Sequence, residues 1–262
     1  MRPNKFKDLL KSGGKGINGW LSIPSAVTAE IMSQRNFDSV TIDMQHGLID
    51  YSDVLPMLQA ISTTNKTPMV RVPWLENGII MKCLDAGAYG IICPMVNTAQ
   101  DAEDFVQACS YAPRGRRSFG PMRALMYAGA DYQPNANDTV LKIAMIETVE
   151  AMENMEAIMA TPNLDGIYIG PSDLSLSMGF PPKLDTEVPE VLEAIANVIA
   201  CAKRHGLVIG IHTSAGTYAG RMLDEGMDFV SIGSEARMMV DATDDYISTV
   251  RKTAPAQKVA GY

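Results

Sequence analysis

Several polar side chains sit where apolar runs stop. SVTI leads into Asp43, with Gln45, His46 and Gly47 directly behind; TPMV leads to Arg71; LKIAMI leads to Glu147; and LVIGI leads to His212. GIYI leads into Gly170-Pro171-Ser172-Asp173, and the first such run, INGWLSI, carries Trp20. An acid beside a histidine suits general acid–base work, because imidazole titrates near neutral pH. Glu147 and Asp173 supply two carboxylates. Brought close, they either share a proton, with one pKa strongly raised, or hold a hard divalent cation that waters and substrate oxygens complete. Arg71 suits a carboxylate or a developing enolate. Gly170 allows close approach, and the N–H groups of a helix start can receive an anion. Each residue also has a plainer reading. Arg71 can serve a surface ion pair, His46 can be a satisfied core histidine, and ETVEAMENM and SDLSLSM begin with good helix-capping residues. On the residues alone, both readings stand.

These residues gain meaning only if the fold gathers them. Short β-type runs at 17–23, 39–44, 67–72, 89–95, 141–147, 166–170, 207–213 and 229–233 alternate with helix-length amphipathic stretches. The helical stretches are 25–35, 52–64, 76–86, 98–110, 149–160, 187–204 and 214–225. Most of the strands are continuously apolar, as in a parallel sheet covered on both faces. DAGAYG, KRHGLV and DEGMDF each place Gly between a helix end and the next strand. Eight β/α alternations in 262 residues predict an α/β fold of the (β/α)8 TIM-barrel type, with all strand ends converging on one site. A doubly wound open sheet fits less well, since no glycine-rich phosphate turn follows the first strand. GGKG at 13–16 precedes a strand and lacks phosphate-loop spacing. No linker divides the chain, so residues 1–262 read as one barrel domain. The irregular stretch 111–139 reads as a loop extension at the active-site end or a subunit contact.

Composition narrows the partners. A net charge of −8 argues against nucleic acid or an anionic membrane as the main target. PRGRR at 113–117 reads as a solvated or intersubunit cluster. The N-terminus is basic without an apolar h-region, and the most apolar stretch, 79–96, is interrupted by Lys82 and Asp85. Cys83, Cys93, Cys109 and Cys201 show no CxxC pairing and read as buried free thiols, which suggests a reducing cytoplasm. The 18 methionines read as core filling. Lys142 opens its strand at the end away from the site, which disfavours Schiff-base chemistry.

The chain resembles the class II pyruvate aldolases of the HpcH/HpaI type, within the phosphoenolpyruvate/pyruvate barrel superfamily. The resemblance rests on GW at 19–20, IDMQHG at 42–47, VRVPW at 70–74, LDAGAYGIICPMV at 84–96, PRGRRSFGPMRA at 113–124, MIET at 145–148 and, most specifically, GIYIGPSDLSLSMG at 166–179. It implies that Glu147 and Asp173 hold Mg2+, Mn2+ or Co2+, and that a 2-oxo acid binds there with its carboxylate on the Gly170–Asp173 turn. It further implies that Arg71 neutralises an enolate oxygen, that His46, oriented by Asp85, acts as acid/base with a water, and that Trp20 lines the pocket. A homohexamer, a trimer of dimers with an exchanged C-terminal helix, is also implied.

The reaction implied is reversible cleavage of a 4-hydroxy-2-oxo acid to pyruvate and an aldehyde, through an enolate held on the metal. Alternatives on the same barrel are a Claisen-type citrate-forming synthase or malyl-thioester lyase, and a phosphoenolpyruvate-using enzyme, which needs more phosphate ligands than the chain supplies. From another class comes a non-catalytic ketoacid-binding barrel. Three positions depart from the family pattern. Gln45 stands where Glu is common, Met145 where Gln is often found, and His212 where related sequences often carry an apolar residue. Met145 bears on which donors and acceptors the pocket takes, because a thioether cannot fix a polar group.

Overall fold

The computed structural model describes residues 1–253. Eight strands close into a parallel barrel in sequence order: β1 (Gly16–Leu21), β2 (Ser39–Asp43), β3 (Thr67–Arg71), β4 (Gly90–Cys93), β5 (Leu141–Ile146), β6 (Gly166–Ile169), β7 (Val208–Thr213) and β8 (Phe229–Ile232). Every neighbouring pair is parallel, and Gly16 against Phe229 closes the ring. The chain is therefore a TIM barrel, as the alternation of apolar runs predicts.

The surrounding helices are α1 (Lys5–Lys11), α2 (Ala26–Ser33), α3 (Tyr51–Ile61), α4 (Asn77–Asp85), α5 (Ala99–Cys109), α6 (Met122–Ala128) and α7 (Tyr132–Thr139), then α8 (Val149–Glu153), α9 (Met155–Met159), α10 (Pro171–Ser177), α11 (Pro189–Arg204), α12 (Gly216–Asp224) and α13 (Glu235–Arg251). The helices that directly follow strand tips start near the barrel mouth, and local chemistry fixes those starts. Asp50 and Asp53 form a capping box on α3, as Thr98 and Asp101 do on α5. The stretch 149–160 is two helices, because Asn154 leaves helical geometry and its side chain donates to the Asn97 carbonyl.

Two apolar layers hold the barrel. The larger lies between strands and helices and includes Ile42, Val70, Ile91, Ile146, Ile167 and Ile211. The smaller fills the lumen with Trp20, Met69, Ile92, Met145, Tyr168 and Phe229. Helix α1 closes the lower end: Phe6 meets Phe229 edge-on at 5.3 Å, and Lys7 and Lys142 both pair with Asp165. Lys142 is thus spent at the end away from the strand tips, as its position in its strand predicts.

The stretch 111–139 corrects one expectation. It carries α6 and α7, and it lies at the lower end of the barrel rather than the active-site end. Helix α5 has already returned the chain to that level. Arg123 there donates to the Ala86 and Leu58 carbonyls, Arg2 N–H donates to the Ala128 carbonyl, and Tyr111 and Tyr132 pack in one cluster with Tyr89.

Candidate active site

Register builds the first part of the site. Asp43 and Arg71 are directly opposite at the tips of β2 and β3. Arg71 Nε donates to Asp43 Oδ1 at 2.8 Å and Nη2 to Oδ2 at 2.6 Å, a bidentate pair with both residues 1% exposed. Trp20 Nε1 donates to the same Oδ2 at 3.2 Å, and the guanidinium lies 4.8 Å from the Trp20 ring centre. Burial opposes charge on Asp43. The Arg71 charge and these hydrogen bonds outweigh it and hold the carboxyl below its usual range.

Behind Asp43 the chain folds back tightly. Gln45 N–H donates to Asp43 Oδ1 at 3.0 Å, and a Cβ at Gly47 would stand 2.3 Å from the Asp43 carbonyl oxygen. That explains the glycine after Asp43-Met44-Gln45-His46: any larger residue would break the turn that presents His46. His46 is exposed at the mouth. Partial burial first, and Arg71 second, lower its pKa, while Asp43 and Asp173 act the other way.

Glu147 follows β5 and is 1% exposed. Its Oε1 accepts the Met95 N–H at 2.8 Å, while Oε2 is buried with no hydrogen-bond partner among the described residues. Met95 sits just past β4 with φ 55°, a strained left-handed conformation for a side-chain-bearing residue. Sequence reasoning missed this donor; only its place at a strand tip hinted at it. A Cβ at Gly170 would lie 2.4 Å from Glu147 Oε2 and 3.0 Å from Met145 Cε, so glycine leaves the space around that oxygen open. Burial, with Asp173 adding repulsion, pushes the Glu147 carboxyl up to about 7 despite the Met95 N–H. Asp173 lies in the first turn of α10, which has no side-chain cap. An orphaned buried carboxylate oxygen, a second carboxylate near it and an all-oxygen donor set fit a hard divalent cation.

The remaining predicted residues lie beneath the site or away from it. His212 is 5% exposed, meets Trp20 edge-on at 4.5 Å, and its Nδ1 is 3.0 Å from the Tyr168 hydroxyl, which donates to Ser231 Oγ at 2.6 Å. Burial, then Arg71, lowers its pKa to about 3, so the ring is neutral. Met145 is a lumen residue directly opposite Tyr168. Asp85 stands apart from these residues within the chain. It ends α4 on the side away from the mouth and accepts from Arg117 Nη2 at 2.6 Å. Charged groups that act on His46 include Arg71, Asp43 and Asp173. His46 N–H also reaches Asp43 Oδ1, at 3.4 Å.

The profile of the HpcH/HpaI aldolase/citrate lyase family matches residues 17–242. The chain is 42% identical over 248 residues to a hydroxypyruvate/pyruvate aldolase of Rhizorhabdus wittichii, covering 95% of this chain and 99% of that protein. It is 33% identical over 252 residues to a 5-keto-4-deoxy-D-glucarate aldolase of Escherichia coli, covering 95% and 98%. Among solved structures, an HpcH/HpaI aldolase/citrate lyase family protein from Burkholderia cenocepacia superposes with a TM-score of 0.88 at 30% identity, over 95% of this chain and 99% of that one. Fold, strand-tip residues and these likenesses agree, and the chain belongs to the HpcH/HpaI aldolase/citrate lyase family.

Proposed function

We propose that this protein is a divalent-metal-dependent aldolase that reversibly cleaves 4-hydroxy-2-oxo acids to a 2-oxo acid and an aldehyde. The observation that carries this reading is the unpartnered, buried Oε2 of Glu147 beside Asp173, in space that Gly170 keeps clear. Glu147 and Asp173 would hold Mg2+, Mn2+ or Co2+. When bound, such an ion polarises a 2-oxo acid's carbonyl and stabilises negative charge on its oxygen by several kcal/mol.

The chain's own groups do the rest. Arg71, held in one orientation by Asp43, directs positive charge at the same oxygen without reorganisation. The N–H groups of Ser172 and Asp173, behind Gly170 and Pro171, receive the substrate carboxylate at the uncapped start of α10. His46 takes the proton from the C4 hydroxyl as the C3–C4 bond breaks, and a water relays proton movement at C3. Trp20 holds Asp43 and Arg71 from below with His212 packed against its ring, and Met145 shapes the pocket floor. The relatives' names favour pyruvate or hydroxypyruvate as the 2-oxo acid and a polar aldehyde as its partner.

We further assign the chain to one barrel domain, residues 254–262 lying outside the described residues, and place the enzyme in the cytoplasm, supported by four buried free cysteines. No helix among the described residues is long and apolar enough to cross a membrane. A hexamer built as a trimer of dimers through α13 is favoured by the exposed Met239, Val240, Tyr246 and Val250 on that helix. A groove of about 320 Å³ between α2 and α13, lined by Ile31 and Met239, adds to this.

The test is release of a 2-oxo acid from 4-hydroxy-2-oxo acids of varied length, with and without EDTA, beside an acetyl thioester plus oxaloacetate. Metal-dependent cleavage of the hydroxy-oxo acids alone is expected. Turnover of the thioester alone would replace the proposal with a Claisen-type reaction.

A further inference from the structure

A second cluster of metal-binding groups lies far from the strand tips, on the outer helical layer. Helix α9 packs against α11. Glu156 on α9 faces Cys201 and His205, which stand four residues apart and so share one face at the end of α11. One carboxylate oxygen, the Cys201 sulfur and one His205 ring nitrogen all lie within 4.8 Å of one another. His205 Nε2 and Glu156 Oε2 are 2.8 Å apart, and Arg204 engages the other oxygen, Oε1. Cys201 is buried, whereas the side chains of His205 and Glu156 are 25% and 59% exposed.

We propose that Glu156, Cys201 and His205 bind a borderline-soft divalent cation of the Zn2+ type, at a site separate from the active centre. Thiolate and imidazole donors favour such an ion over Mg2+ or Mn2+, which the all-oxygen pair at the barrel mouth suits. Bond lengths of about 2.0–2.3 Å around a tetrahedral ion put ligand atoms about 3.3–3.8 Å apart. A small rotation of the exposed Glu156 side chain achieves this. On binding, the Cys201 thiol proton leaves to solvent as its sulfur bonds the metal, and Glu156 Oε2 exchanges the His205 contact for the metal. Carboxylate and thiolate then balance the two positive charges, Arg204 stays on Oε1, and the solvent side leaves the fourth position to water. The ion would tie α9 to α11 at the end of the barrel opposite Glu147.

The test is titration of metal-stripped protein with Co2+, read by the near-ultraviolet thiolate-to-cobalt charge-transfer band, which an all-oxygen site does not give. Wild type and Glu147→Ala should both show the band, saturating at one equivalent in the variant and by two in wild type, whose barrel-mouth site also takes Co2+. Cys201→Ser should abolish it. His205→Ala should weaken binding by at least the roughly tenfold that even an outer-sphere partner contributes. His205 is partly exposed, so that variant is expected to fold and to keep wild-type turnover with Mg2+. No band in the wild type, a band that persists in Cys201→Ser, or unchanged Co2+ affinity in His205→Ala would overturn the proposal. Because the Glu147→Ala arm silences the barrel-mouth site, failure here is distinct from failure of the aldolase assignment.

Discussion

Neutralising Glu147 should stabilise the metal-free enzyme while destroying its function. In the folded chain this carboxyl titrates at about 7, against 4.5 for an exposed glutamate, because it is buried beside Asp173. Below about pH 4.5 the folded and unfolded chains both hold the proton, and the group is neutral in its effect. As pH rises toward 7 the unfolded chain releases the proton while the folded chain keeps it, so stability falls. Above 7 the folded carboxyl ionises too, and the loss levels off. At about 1.4 kcal/mol per pH unit the full penalty is about 3 kcal/mol, or roughly 6–12 °C in Tm for a chain of this size. Glu147→Gln removes the penalty and keeps an oxygen for the Met95 N–H. Thermal unfolding of EDTA-treated wild type and variant from pH 5 to 8.5 should show nearly matched stabilities at pH 5. A gap favouring the variant should then open as pH rises. Mg2+ or Mn2+ should raise the wild type but not the variant. A gap independent of pH, or a variant less stable at pH 8.5, would refute the reasoning.

Other substitutions probe the rest of the site. His46→Ala should lower kcat by roughly 10²–10⁴ with little change in metal affinity, measured by steady-state kinetics and calorimetry; wild-type kcat would make His46 structural. Asp43→Ala removes the bidentate partner of buried Arg71 and should destabilise the protein by roughly 3–5 kcal/mol in denaturant unfolding. Met145→Gln places an amide near Gly170 and should narrow the range of donors and acceptors, changing kcat/KM by about 1 kcal/mol, the worth of one hydrogen bond. An unchanged substrate profile would make Met145 ordinary packing.

The barrel was readable because its strands are buried on both faces, and runs such as SVTI, GIIC and GIYI therefore carry no charged residue until their tips. The tips were readable for the same reason: Arg71, Glu147 and His212 stand out against an apolar background. Pairwise geometry was less accessible. Asp43 meets Arg71 only through the register of β2 on β3, and Met95 serves Glu147 through a backbone N–H at a positive φ that no side chain announces. Asp85 belongs to a motif shared with the family, yet α4 carries it down to Arg117, and only the helix's direction shows that. Helices α6 and α7 escaped because MRALMYA and YQPNANDT are short and lack side-chain N-caps, and α7 is rich in residues with weak helix preference.

Glu147 and Asp173 are proposed to hold the ion that lets this barrel form an enolate. Exchange of the pyruvate methyl protons for deuterium, followed by NMR without any aldehyde, tests it apart from acceptor choice. Exchange is expected in the metal-loaded enzyme, with its loss in EDTA, its return with Mg2+ or Mn2+, and its absence in Glu147→Ala with metal present. Full exchange in a metal-free sample, or undiminished exchange in that variant, would contradict it.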